Sequence, residues 1–136
     1  MKVNYINQSG RAARLRRADI DNIARRAFRL SGQSGKNLEL SLIMIDKTEA
    51  RRLNSVYRGR FVPANVLSFS AGRKKDLGDI FVCPAVAEQE AKRERISAPA
   101  KLKHLFVHGL LHLLGYDHKA IKDEKAMIAL EQKILS

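Results

Sequence analysis

A chain of 136 residues, 45% of them hydrophobic, can build one core but is too short for two domains. One cysteine, Cys83, excludes an internal disulfide and fits a reducing compartment, and no apolar run approaches the roughly 18–20 residues that span a bilayer. Lys and Arg total 26 against 14 acidic residues, a net charge of +12, which points to a polyanion such as nucleic acid and away from a membrane. Val3–Ile6 alternates as a short strand, and Arg11–Leu30 carries a helical stripe of Ile20, Ile23, Ala27 and Leu30. Arg25 and Arg29 fall on another face of that helix, placed for phosphate contacts. Residues 1–34 hold eight basic side chains against Asp19 and Asp21, half of the net excess. Leu38–Ile45 begins with strict alternation and ends continuously apolar, as an interior strand does. Asp46 and Glu49 have the spacing of a capping box for a helix reaching about Tyr57.

Val66–Ser70 and Ile80–Cys83 are two further strands, joined by the polar turn Ala71–Asp76 into an antiparallel hairpin. Pro84 opens a charged helix to about Arg95. Ser97-Ala98-Pro99 caps the next helix, which runs to Leu114 and is apolar on most sides (Leu102, Leu105, Phe106, Leu110, Leu113), so it should be the buried one. Ile121–Leu135 is a last amphipathic helix. The order βαβαββααα predicts an α+β fold across residues 1–136: a single domain with a mixed four-stranded sheet and helices packed on it. The opening Met-Lys-Val-Asn-Tyr-Ile-Asn lacks the apolar core of a leader peptide, so a cytoplasmic protein is expected.

Three of the four histidines fall between His108 and His118. His108 and His112 share one helical face, about 6 Å apart along the axis. Two imidazoles so placed can converge on one cation, and Gly115 can take the positive φ that turns the chain so that His118 returns as a third ligand. Three neutral imidazoles leave a tetrahedral position open, the mark of a catalytic metal. The metal site is therefore expected on the central helix and the turn after it. His104 continues the row at helical spacing, but it lies about 12 Å from His112 and belongs outside the ligand set, solvated or near bound substrate. The spacing His-x-x-x-His-x-x-Gly-x-x-His is also that of the metzincin peptidases, which place a glutamate base directly after the first ligand. Here that position is Gly109, and Met127 lies inside a helical pattern instead of a Met-turn.

The run His108-Gly-Leu-Leu-His-Leu-Leu-Gly-Tyr-Asp-His118 closely resembles the signature H-G-x-L-H-L-x-G-Y-D-H of the YbeY family. Two weaker elements of that family appear in order upstream, as Tyr57–Ser70 and as Leu77-Gly78-Asp79-Ile80. In the first of these, Arg60-Phe61 stands where the family has Lys-Asp, Ala64-Asn65 where it has Thr-Asp, and Ser70 where it has Pro, while Arg58 is retained. The resemblance implies a bacterial, single-strand-specific, metal-dependent endoribonuclease acting in ribosomal RNA maturation, at the small-subunit 3′ end, and in ribosome quality control. It implies one zinc per chain on His108, His112 and His118, with RNA and the ribosome or its small subunit as partners. It marks Arg58 as functional, and a guanidinium there suits the charge developing on a cleaved phosphodiester. Asp117 can orient a ligand histidine or equally cap the turn after Gly115. Arg25, Arg29, Arg58 and His104 are the candidate RNA contacts. Asp79 can be structural, and Cys83, a strand residue, would make the site structural if it were a fourth ligand. The rival readings are a zinc peptidase-like hydrolase and a non-catalytic, ribosome-binding zinc protein.

Overall fold

The fold is taken from a computed structural model, which describes residues 1–12, 14–32, 37–73, 75–116 and 121–136, without the side chains of 121–123. The elements follow the expected order: β1 (Lys2–Asn7), α1 (Arg17–Leu30), β2 (Glu39–Met44), α2 (Lys47–Arg58), β3 (Val66–Ser70), β4 (Asp76–Val82), α3 (Pro84–Glu94), α4 (Ala98–Leu113) and α5 (Ile121–Leu135). The sheet runs β1-β2-β4-β3, parallel across β1, β2 and β4, with β3 antiparallel at one edge. The architecture is the expected α+β fold with a mixed four-stranded sheet. No helix among the described residues is long and apolar enough to cross a membrane.

Alternation along the strands divides the interior into two cores. Leu40, Leu42 and Met44 of β2 with Ile80 and Val82 of β4 face a large core shared with α1, α4 and α5. Their neighbours Ile43, Leu67, Phe69 and Phe81 face a smaller core covered by Ala50 and Leu53 of α2. Helix α4 is the hub, packing against β3, β4, α1, α3 and α5. Its N-terminus is capped as expected, with the Ser97 hydroxyl accepting from the Ala100 amide at 3.2 Å.

Three expectations need correction. The first helix begins at Arg17, because Leu15 is drawn into the large core and Arg16 adopts an extended conformation. The capping box at α2 is half made: Asp46 accepts from the Glu49 amide at 2.9 Å, but the Glu49 carboxylate turns to Arg52 at 2.6 Å. β4 also starts at Asp76, so the polar turn is shorter than the sequence suggests.

Candidate metal and nucleic-acid cleft

Helix α4 presses on the sheet at Gly109, where a side chain would not fit. A Cβ at that position would stand 2.8 Å from Ile80 Cγ2 and 2.9 Å from Ser68 Oγ. The Ser68 hydroxyl instead donates to the Gly109 carbonyl at 3.1 Å. This contact explains the missing peptidase base: a glutamate at 109 would be driven into β3 and β4. With the glycine face on the sheet, His108 and His112 are carried to a cleft of about 370 Å³ beside the edge strand. Val66, Ser68 and Ser70 line one wall, at the i, i+2, i+4 spacing of one strand face, and Arg58 and Asn65 line another part.

The two imidazoles meet at their outer nitrogens. His108 Nε2 and His112 Nε2 are 3.1 Å apart, close to the separation of about 3.3 Å for two nitrogens bound to one tetrahedral cation. The other nitrogen of His108 is fixed from behind. Nδ1 lies 3.0 Å from Glu131 Oε1, and His104 Nε2 lies 3.3 Å from Glu131 Oε2. Burial pushes the Glu131 carboxyl up, but hydrogen bonds from His104 and His108 and their charge outweigh it and hold the group at about 2. An ionised carboxylate only accepts hydrogen bonds, so a His108 ring with one proton would carry it on Nδ1 and turn Nε2 toward His112 and the cleft.

His104 does not line the cleft and has a carboxylate partner that the sequence did not announce. Glu131 is the residue that sequence reasoning missed. The signal was present: with Met127, Leu130 and Ile134 it lies on the buried stripe of α5, where an acid is out of place.

Gly115 has φ +102°, and the Tyr116 amide donates to the Leu111 carbonyl at 3.0 Å, so the helix ends in the reversal the motif requires. His118 and Asp117 lie outside the described residues. Among the described residues, no three His, Cys, Asp or Glu side chains are placed to hold one metal ion. Cys83 is buried in the small core, on the sheet face opposite the cleft, so it cannot be a fourth ligand. Burial pushes its thiol up, which disfavours the thiolate that a metal needs.

Arg58, the last residue of α2, is brought to the cleft, whereas Arg25 and Arg29 are not: no α1 residue lines it. Much of the N-terminal positive charge is engaged elsewhere. Arg11 pairs with Glu88 at 2.8 Å, Arg16 with Asp19 at 3.0 Å and Arg17 with Asp21 at 3.3 Å, and Arg26 donates to the Ile134 and Ser136 carbonyls. Asn65, where the related motif has an acid, donates its amide to Glu90 at 3.0 Å, a position in which a carboxylate would face like charge. Asp79 does not line the cleft; burial and then the nearby Asp76 raise its carboxyl.

Residues 5–136 match the family model described as Endoribonuclease YbeY. A relative from Alkalilimnicola ehrlichii named Endoribonuclease YbeY is 44% identical over 104 residues, covering 71% of this chain and 63% of that protein. A second of the same name, from Pseudomonas putida, is 42% identical over 112 residues, covering 76% of this chain and 70% of that one. The chain thus spans just under two thirds of the first relative's length. The solution structure of TM1509 from Thermotoga maritima superimposes with a TM-score of 0.67 over 98% of this chain and 86% of its own, and at 24% identity it speaks for the fold alone.

Proposed function

The chain belongs to the endoribonuclease YbeY family, and from that premise we propose that it is a metal-dependent endoribonuclease cutting single-stranded RNA. Its place is in ribosomal RNA maturation at the small-subunit 3′ end and in ribosome quality control, in the cytoplasm, on RNA held by the ribosome or its small subunit. The observation that carries the reading is the pair of Nε2 atoms 3.1 Å apart in a cleft that Arg58 also lines. His108 and His112, completed by His118, would hold one zinc per chain. A divalent cation bound there would supply positive charge and acidify a water.

The chain's own residues do the rest. Glu131 holds His108 in the tautomer that turns a lone pair to the cleft. Arg58 sets a planar, permanently charged guanidinium where the phosphodiester gains negative charge. Asp117, next to the third ligand in sequence, orients it. Ser68 and Gly109 keep the helix on the sheet and so fix the height of the histidines.

The peptidase reading has no base, since position 109 abuts the sheet. Cleavage of single-stranded RNA beside casein, with and without a chelator, tests the proposal. RNA cutting that stops on chelation and returns with zinc supports it, and hydrolysis of casein without RNA cutting overturns it.

A further inference from the structure

The four most exposed large hydrophobic side chains among the described residues fall within seven consecutive positions: Val56 (62%), Tyr57 (63%), Phe61 (78%) and Val62 (59%). They lie at the end of α2 and in the loop that leads to β3. Arg58 and Arg60 lie within this stretch and Arg51 and Arg52 earlier in α2, all exposed. The stretch holds no acid, and Glu49 of α2 is taken by Arg52. The loop is anchored on both sides of its tip. Arg60 donates its amide to the Asn54 carbonyl at 3.2 Å, and the buried Asn54 side chain donates to the Val62 carbonyl at 2.8 Å. Phe61 is thus held between two tethered residues while its ring remains in solvent. The Tyr57 ring is fixed on one side by Phe69, with centroids 4.8 Å apart, and Phe69 in turn by Phe81 at 5.7 Å.

Preorganised aromatic faces between unneutralised guanidinium groups match one ligand chemistry. Unpaired bases stack on the rings, and the phosphates that join them meet the cations. The loop also begins and ends at the cleft, which Arg58 lines before it and Asn65 and Val66 line after it. We propose that Tyr57 and Phe61, flanked by Arg58 and Arg60, form a stacking platform for unpaired bases of an RNA strand that continues into the histidine cleft. The platform selects single strands, because the bases of a duplex have both faces covered by their neighbours. Only the identity of the polymer rests on the nuclease reading; the platform itself rests on exposure, anchoring and charge.

The chain has no tryptophan, so Phe61→Trp reports on the site directly. In chelator, where no cleavage occurs, its fluorescence should be quenched by a short oligouridylate. An abasic strand or a duplex of the same length should leave it bright. Phe61→Ala, at a position with no packing to lose, should bind the oligouridylate about tenfold more weakly and the abasic strand unchanged. Quenching by duplex as strong as by single strand, or unchanged oligouridylate binding in Phe61→Ala, would overturn the platform. So would loss of a concentration-dependent self-association in Phe61→Ala with RNA binding intact, which would give the face to a second copy of the chain. Quenching by single strands in a protein that cuts no RNA when zinc is restored would sustain the platform and remove the nuclease reading instead.

Discussion

Two cavities of similar size differ in what their charged groups do. The larger, about 430 Å³, opens between Ser9, Asp46, Lys47 and Glu88 at the carboxyl ends of the parallel strands, where open α/β sheets commonly bind ligands. The smaller, about 370 Å³, lies at the antiparallel edge. In the larger one the acids are engaged: Glu88 is met by Arg11 and Arg14, at 2.8 and 3.8 Å, and Asp46 caps α2. In the smaller one Glu131 spends its charge behind the histidines and leaves them aimed into the cleft, and Arg58 forms no ion pair among the described residues. On the function proposed above, the site is marked by the direction in which polar atoms are held and not by volume or place in the fold.

Removing one group from each cavity sharpens this contrast. Arg58→Ala should keep the fold, the metal and most of the RNA affinity, yet lose cleavage by roughly 10²-fold or more, the size expected for one donor to developing charge. Arg58→Lys should recover only part of that loss, because an ammonium lacks the planar fork. Lys47→Ala in the larger cavity should leave single-turnover cleavage at the wild-type rate. Equal losses from the two alanine variants would erase the distinction between the cavities.

The support behind the histidines is the next largest effect. Glu131→Leu removes the acceptor that fixes the His108 tautomer and should weaken zinc binding by roughly 10–100-fold in a chelator competition. Glu131→Gln, which still offers an oxygen to Nδ1, should recover part of the affinity. Zinc affinity unchanged in the leucine variant would make Glu131 a structural acid only. Gly109→Ala tests the floor of the cleft. Its methyl meets Ile80 and Ser68, so denaturant unfolding should show a loss of about 1–3 kcal/mol. A neutral result would mean that α4 can lift off the sheet without cost.

Much of this was legible in the sequence, and what was not has a common cause. The capping serine, the buried stripe of α4, the strand Val66–Ser70 and the turn at Gly115 are written locally and appear as expected. The pairing of Glu131 with His108 joins residues 23 apart on different helices, and nothing local states it beyond an acid on an apolar stripe. Charge is hard to read for a related reason. Arginine counts near the N-terminus suggested an RNA face, but whether a guanidinium is free depends on which acid or carbonyl the fold brings to it. Arg11, Arg16, Arg17 and Arg26 are engaged. Arg25 and Arg29 are exposed, away from the cleft lining.

That leaves a small effect for these two. RNA binding should weaken steeply with added salt, because each neutralised phosphate releases counterions. Replacing both Arg25 and Arg29 with Gln should lower the slope of log affinity against log salt by at most about one for each phosphate that the two side chains neutralise. A slope unchanged in the double variant would return α1 to a purely structural role, with the salt dependence carried by Arg58, Arg60 and their neighbours.

The central claim is that the cleft, through His108 and His112, holds the metal. Metal content of the purified variants tests it most directly. Wild type and His104→Ala should carry about one zinc per chain, because His104 faces Glu131 and not the cleft, whereas His112→Ala should lose its zinc while circular dichroism stays native. Stoichiometric zinc in His112→Ala, or its loss in His104→Ala alone, would contradict the account.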